Sequence, residues 1–259
     1  MSKKTLDRIL QGQGFGTRNN CRDLIRAGEV RVQGEAIRDP AASLETEGLE
    51  FEVFGEAWAY RAHVYIALNK PPGYECSRKP SHHPGVLTLL PEQFIWRDVQ
   101  PVGRLDHDTT GLLLLSDDGA FIHAQSSPKR HVPKVYVATT HDPVTSELLA
   151  HLRAGVQLDD EPAPLTAQVQ QLDTHRLEVI LEQGKYHQVK RMLVAAGNHC
   201  VALCRVAIGG LRLDALNLDE GKWCFIDLAQ LQPGPGDAPG TSHGASSAGE
   251  HSDFALRQG

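Results

Sequence analysis

The stretch from Val102 to Gly119 constrains this chain most, because it joins a loop of glycine and charge directly to four consecutive leucines, Leu112 to Leu115. An apolar run of that length, bounded by Gly111 and by Asp117-Asp118-Gly119, predicts a short strand buried on both faces. Such a strand is a rigid platform. The loop entering it presents Arg104, Asp106, His107 and Asp108 at fixed positions, and functional groups tend to sit on loops held this way. Alone, the same pattern also describes a turn of solvated charges ahead of a core strand.

A chain of 259 residues can bury a sizeable core and suits one large domain, or one large and one small. It holds no apolar run of about 18 residues, so no membrane-spanning helix is expected. Met1 to Asp7 lead into no apolar core of the secretory type, which predicts a cytoplasmic protein. Cys21, Cys76, Cys200, Cys204 and Cys224 are odd in number and include no CxxC pair, which fits neither a disulfide framework nor a zinc site, and the apolar segment around Cys200 and Cys204 predicts buried thiols there. The net charge is −6, yet residues 1–38 carry eight basic groups against four acidic ones. A basic end on an acidic body suits a partner bound by one face.

Residues 5–11 and 18–27 predict two short helices around Gly12-Gln13-Gly14-Phe15-Gly16, the second capped by Thr17 and ended by Gly28. Val30-Arg31-Val32 and Ala36-Ile37 then flank a tight hairpin. Arg18, Arg22 and Arg26 recur every four residues, one stripe that is either a solvated face or a phosphate-contacting one. Leu6-Asp7-Arg8-Ile9-Leu10, Gly14-Phe15-Gly16-Thr17-Arg18, Ile25 through Val32 and Gln33-Gly34-Glu35 together resemble an S4 RNA-binding domain. That resemblance implies RNA contact through Arg8, Arg18, Arg22, Arg26 and Arg31.

Residues 39–61 read as the end of this small unit and a linker. Strands are expected at Tyr65–Lys70, Lys134–Thr139, 165–172, 176–182, 199–208 and 222–228. Helices are expected over 118–125, from Asp142-Pro143 to Gly155, and over 185–196. From Pro233 onward the chain has almost nothing to bury and reads as disordered. The fold class is therefore α+β: a small unit (1–60), a mixed-sheet body (61–231) and a tail (232–259).

Four groups in the body could carry chemistry: Asp106 in its loop, Tyr136 on a strand, Asn69-Lys70-Pro71-Pro72-Gly73 in a rigid turn, and Gly184 to Met192. On a helix through 185–196, Tyr186, His187 and Lys190 would share a face. Taken singly, each has a plain structural reading: turn former, core tyrosine, solvated helix side.

Together they resemble the pseudouridine synthases, in the bacterial ribosomal-RNA branch with an N-terminal S4 domain. The patterns are Gly103-Arg104-Leu105-Asp106-x-Asp108-Thr109-Thr110-Gly111-Leu112, Lys134-Val135-Tyr136, and Gly184-Lys185-Tyr186-His187-Gln188-Val189-Lys190-Arg191-Met192. Asn69 to Gly73 and Arg205-x3-Gly209-Gly210-Leu211 agree in order. Tyr74-Glu75-Cys76-Ser77, followed by His83-Pro84-Gly85-Val86-Leu87, is most similar to enzymes acting on uridine 516 of small-subunit 16S rRNA; large-subunit (23S) relatives share the catalytic patterns.

The resemblance implies a cofactor-free isomerisation in which Asp106 acts as nucleophile toward ribose or uracil, or as the base that starts glycal formation. It implies Lys190 as the cation beside Asp106 and Tyr136 as a ring stacked on the turned-out uracil. Arg104, Arg191, His187 and Lys70 would contact substrate. The implied partner is 16S rRNA or a small-subunit assembly particle, bound by a monomer. The alternatives are a large-subunit enzyme and a non-catalytic assembly factor, the latter disfavoured because Asp106, Tyr136 and Lys190 are all present. A hydrolase using Asp106 and His107 lacks an accompanying Ser or Cys nucleophile pattern.

Overall fold

The computed structural model describes residues 2–127 and 131–232; the expected disordered tail from Pro233 lies outside them. The N-terminal unit runs β1 (Lys3–Thr5), α1 (Leu6–Gly12), α2 (Arg18–Ala27), β2 (Val30–Val32), β3 (Glu35–Ala36), β4 (Ser43–Glu45), β5 (Glu50–Val53) and β6 (Glu56–Ala59). Thr17 caps α2 by accepting from the Asn20 N–H at 3.3 Å. Gly28 ends the helix in the left-handed conformation that favours glycine. Residues 43–59 are strands rather than a linker: β5 pairs with both β2 and β6. The alternation Glu50-Phe51-Glu52-Val53 explains it, since Phe51 and Val53 join Leu6, Ile9, Leu10 and Ile25 in one apolar cluster.

Asp7 lies beneath this cluster, 2% exposed. It accepts from Thr5 Oγ1 at 2.6 Å, Arg18 Nε at 2.8 Å and Arg22 Nε at 2.9 Å. Burial works to raise its pKa, but the hydroxyl and the two guanidinium groups prevail and hold it far below the usual carboxylate range. A folded pKa below the unfolded one gives stability that is full above about pH 4 and is lost as pH falls further. Asp7→Asn leaves two arginines without their carboxylate, and we expect it to cost about 3 kcal/mol in urea unfolding at pH 7. That deficit should shrink at acid pH.

The body is β7 (Tyr65–Lys70), α3 (Glu92–Trp96), β8 (Gln100–Val102), β9 (Thr110–Ser116), α4 (Gly119–Ser126), β10 (Lys134–Thr140), α5 (Ser146–Ala154), β11 (Gln168–Gln171), β12 (Arg176–Leu181), α6 (Gln188–Ala195), β13 (Cys200–Ile208), β14 (Leu211–Arg212), α7 (Leu213–Leu216) and β15 (Trp223–Phe225). One mixed sheet runs β11-β12-β10-β13-β9-β7-β15, with β8 also on β9 and β14 on β13. Among its described strands only β13 and β9 pair in parallel. The leucine run is the middle of β9 and feeds both faces: Leu113 and Leu115 enter the core with Tyr136 and Val189, while Leu112 and Leu114 pack with Phe121 and Ile226. Each such side chain contributes about 1.5–3 kcal/mol by leaving water.

Two helices begin later than expected. Thr145, not Asp142, caps α5 by accepting from the Leu148 N–H. Asp142 is tied elsewhere: its N–H bonds Asn198 and its carbonyl accepts from Thr140. Residues 185–187 form a turn, because Gln188 Oε1 accepts the Lys185 N–H and His187 takes a left-handed conformation (φ 46°) before α6. Cys200 and Cys204, expected to be buried, are half-buried, as is Cys224, while Cys21 and Cys76 are buried. No helix of the described residues is long and apolar enough to cross a membrane.

The small unit meets the body at Arg97, whose side chain is almost wholly buried. Its guanidinium bonds Asp117 at 2.7 and 2.9 Å, Gln13 Oε1 at 2.9 Å and the Arg61 carbonyl at 3.0 Å. Gly14 (φ +90°) closes the contact; a Cβ there would lie 2.0 Å from the Gln93 carbonyl oxygen.

Candidate active site

The loop between β8 and β9 is held from below by Lys70, the last residue of β7. Lys70 is 0% exposed, and its ammonium donates to the carbonyls of Thr109 (2.8 Å), Pro71 (3.0 Å) and His107 (3.1 Å). The expectation that Lys70 binds substrate is therefore corrected: a group enclosed this way fixes the loop's backbone. Burial lowers its pKa. The His107 carbonyl also accepts from the Gly73 N–H at 2.7 Å, so the Pro71-Pro72-Gly73 turn is a second clamp on the loop.

Asp106 emerges above this support, 25% exposed at its side chain. Oδ1 lies 3.1 Å from His187 Nε2, and Oδ2 lies 3.4 Å from Lys190 Nζ. Lys190 is shared, and its shorter contacts are to Asp108, at 2.6 and 2.8 Å. Burial would lower the Lys190 pKa, but its hydrogen bond to Asp108 and the charge of Asp106 prevail and raise it. Asp108 is held below its ordinary pKa by its bond to Lys190, against its own desolvation. The structure thus brings Asp106, His187 and Lys190 together. It adds Asp108, which the sequence shows only as part of the loop's motif; a carboxylate two residues from Asp106 is the available signal.

Tyr136 is buried on β10, in the same cluster as Leu105 and Val189, the residues preceding Asp106 and Lys190. It pairs across the sheet with Arg205, which pairs with Gly111, which pairs with Lys70: one row over four adjacent strands. Gly111 (φ +95°) is required there, since a Cβ would meet the Arg205 carbonyl at 2.3 Å. Arg205 is 3% exposed and donates its Nε to the Leu112 carbonyl at 2.7 Å.

The remaining candidates divide. Arg104 is exposed with no hydrogen-bond or ion-pair partner among the described residues, free to meet a phosphate or a displaced base. Arg191 is not free: it pairs with Asp160 and donates to the Tyr186 carbonyl. Tyr186 does not share a helical face with Lys190, because it precedes α6 in the turn. In the N-terminal unit Arg8 is exposed without a partner among the described residues, Arg26 lies 3.5 Å from Asp23, and Arg31 donates to Gly34 within its own hairpin. Arg18 and Arg22 each give Nε to Asp7 while their side chains stay more than a third exposed, so they anchor the fold and still face solvent.

A partly exposed carboxylate flanked by a lysine and an imidazole, on a loop packed against a buried tyrosine, suits nucleophilic or general-base chemistry on one small group. Residues 64–195 match the family model described as RNA pseudouridylate synthase, and residues 4–48 match the S4 domain. The chain is 40% identical over 193 residues to ribosomal small subunit pseudouridine synthase A of Escherichia coli K12, covering 74% of this chain and 83% of that protein. It is 34% identical over 213 residues to an RNA pseudouridine synthase of Bacillus subtilis, over 81% and 89% of the two chains. A crystal structure of a pseudouridylate synthase, 33% identical, superposes with a TM-score of 0.61 over 88% of this chain and 97% of that one. By these matches the chain belongs to the RNA pseudouridine synthases and carries an S4 domain at its N-terminal end.

Proposed function

We propose that this enzyme isomerises one uridine of ribosomal RNA to pseudouridine, at uridine 516 of 16S rRNA, with Asp106 as the reacting carboxylate. The clamp on Asp106 carries the reading: one oxygen against His187, the other against Lys190, on a loop fixed from beneath by Lys70. The reaction breaks the bond from ribose to base nitrogen, turns the uracil and rejoins it through carbon 5. Atoms are conserved and no oxidant or reductant is consumed. The Asp106 carboxylate attacks ribose or ring, or takes the proton that starts glycal formation. Lys190 holds a positive charge 3.4 Å from Asp106 Oδ2. Tyr136 lies under the flipped uracil, and Arg104 steadies the displaced nucleotide at the cleft mouth.

The small-subunit target is supported by the Escherichia coli relative's description. Comparing pseudouridines in rRNA from cells with and without this protein tests it. Loss at position 516 is expected; loss confined to 23S rRNA would replace the target. We assign residues 1–60 to backbone anchoring and 61–231 to catalysis, in a monomer working in the cytoplasm beside nascent ribosomal particles. Changing Arg8, Arg26 and Arg31 together to alanine should make the fall of log affinity with log salt shallower, by about 0.7 for each phosphate left unneutralised. The affinity deficit should be largest at low salt. An unchanged slope in a filter-binding titration would remove the anchoring role.

A further inference from the structure

Tyr186 is the most exposed large hydrophobic residue of the described chain, at 73%, and it sits one residue from the imidazole that touches Asp106. An exposed aromatic ring alone calls for no explanation. This one is held. Its ring lies 3.8 Å from the His187 ring, centroid to centroid, with 17° between planes. Two consecutive residues stack this way where His187 adopts φ 46°, a conformation uncommon outside glycine. The Tyr186 carbonyl accepts from Arg191 at 3.3 Å, and Arg191 is itself anchored by Asp160. One face of the ring is thus covered by His187, the backbone is pinned, and the other face is open.

We infer that the open face of Tyr186 is a stacking site for a nucleobase, that of the nucleotide flanking the uridine being isomerised. The inference rests on the proposed assignment of Asp106 as the reacting carboxylate, because that assignment places the target uridine against His187. A base laid on Tyr186 extends the stack His187–Tyr186 by one step, leading away from Asp106 toward solvent. Flipping the target leaves its neighbour without a stacking partner, and an aromatic platform one step from the cleft replaces that contact. Every base has a π face, so the site takes the flanking nucleotide with little regard to its identity. Arg191, expected to contact substrate, serves here as the platform's prop.

The test uses the full chain with Asp106→Asn, so that no turnover intervenes, and an RNA fragment spanning the target uridine. 2-Aminopurine replaces the 5′ neighbour of the target in one RNA and the 3′ neighbour in another. Binding should quench fluorescence at one of the two positions, and adding Tyr186→Ala should abolish the quench. In the background that retains Asp106, Tyr186→Ala should weaken RNA binding by about 5- to 100-fold, while Tyr186→Phe binds as the parent does. Tyr186→Leu, of similar bulk and without a π face, should side with alanine. Quenching that survives Tyr186→Ala, or equal affinity of alanine and tyrosine forms, overturns the stacking site. Failure of the unsubstituted chain to form pseudouridine would overturn the reaction assignment instead, since the binding readouts need no turnover.

Discussion

Asp106→Asn is expected to bind RNA as the parent does and to form pseudouridine at least about 10⁴-fold more slowly, the scale on which enzymes lose rate when a reacting group is removed. Affinity survives for a structural reason. Lys190 keeps its closer partner Asp108, at 2.6 and 2.8 Å, so neutralising Asp106 leaves no stranded ammonium in the cleft. The amide still meets His187 but has no electron pair basic enough to attack carbon or accept a proton at neutral pH. Uridine and pseudouridine have equal mass, so nucleoside chromatography after single-turnover incubation is the appropriate measurement. Turnover near the parent's would end the case for Asp106.

The second large effect is expected at a residue closed off from solvent. Lys70→Met should destabilise the protein by about 2–4 kcal/mol and lower the rate at saturating substrate. Methionine has the right bulk but donates nothing. The His107 carbonyl would keep the Gly73 N–H, whereas those of Pro71 and Thr109 would lose the ammonium. Removing a buried charge recovers some desolvation energy, which offsets part of that loss. A urea midpoint shifted at constant slope would report the stability change. Lys70→Arg should not rescue it, because the site is completely closed. If Lys70→Met melts like the parent, the loop is held by its other contacts.

Much of this site is legible in the sequence, and the failures mostly share one cause. The leucine run and the strand at Tyr65–Lys70 follow from local patterns, the nearness of Lys190 to Asp106 only from the family resemblance, and the structure has all three. Lys70 misleads because a lysine at a strand end ordinarily reaches solvent; only the carbonyls of a loop thirty-odd residues later explain its burial. The helix expected from residue 185 loses its first turn because His187 turns left-handed, which apolar periodicity cannot show. Asp108 is easily underrated for the same reason as Lys70: its partner is distant in sequence. The strands at 43–59 are a different kind of miss, since the alternation at Glu50–Val53 is there to be read.

The joint at Arg97 and Gly14 bears on which RNAs this enzyme can use. A loose tether between anchor and catalytic cleft would present the RNA to Asp106 at a broad spread of local concentrations. A guanidinium shared among Asp117, Gln13 and the Arg61 carbonyl sets that span instead. On the proposed assignment of the two parts, an RNA whose phosphate ridge and target uridine match the span gains avidity from both regions at once. One whose spacing differs is held at a single point and dissociates. Selection of the substrate then lies partly in a fixed distance, read by the enzyme as a ruler reads length.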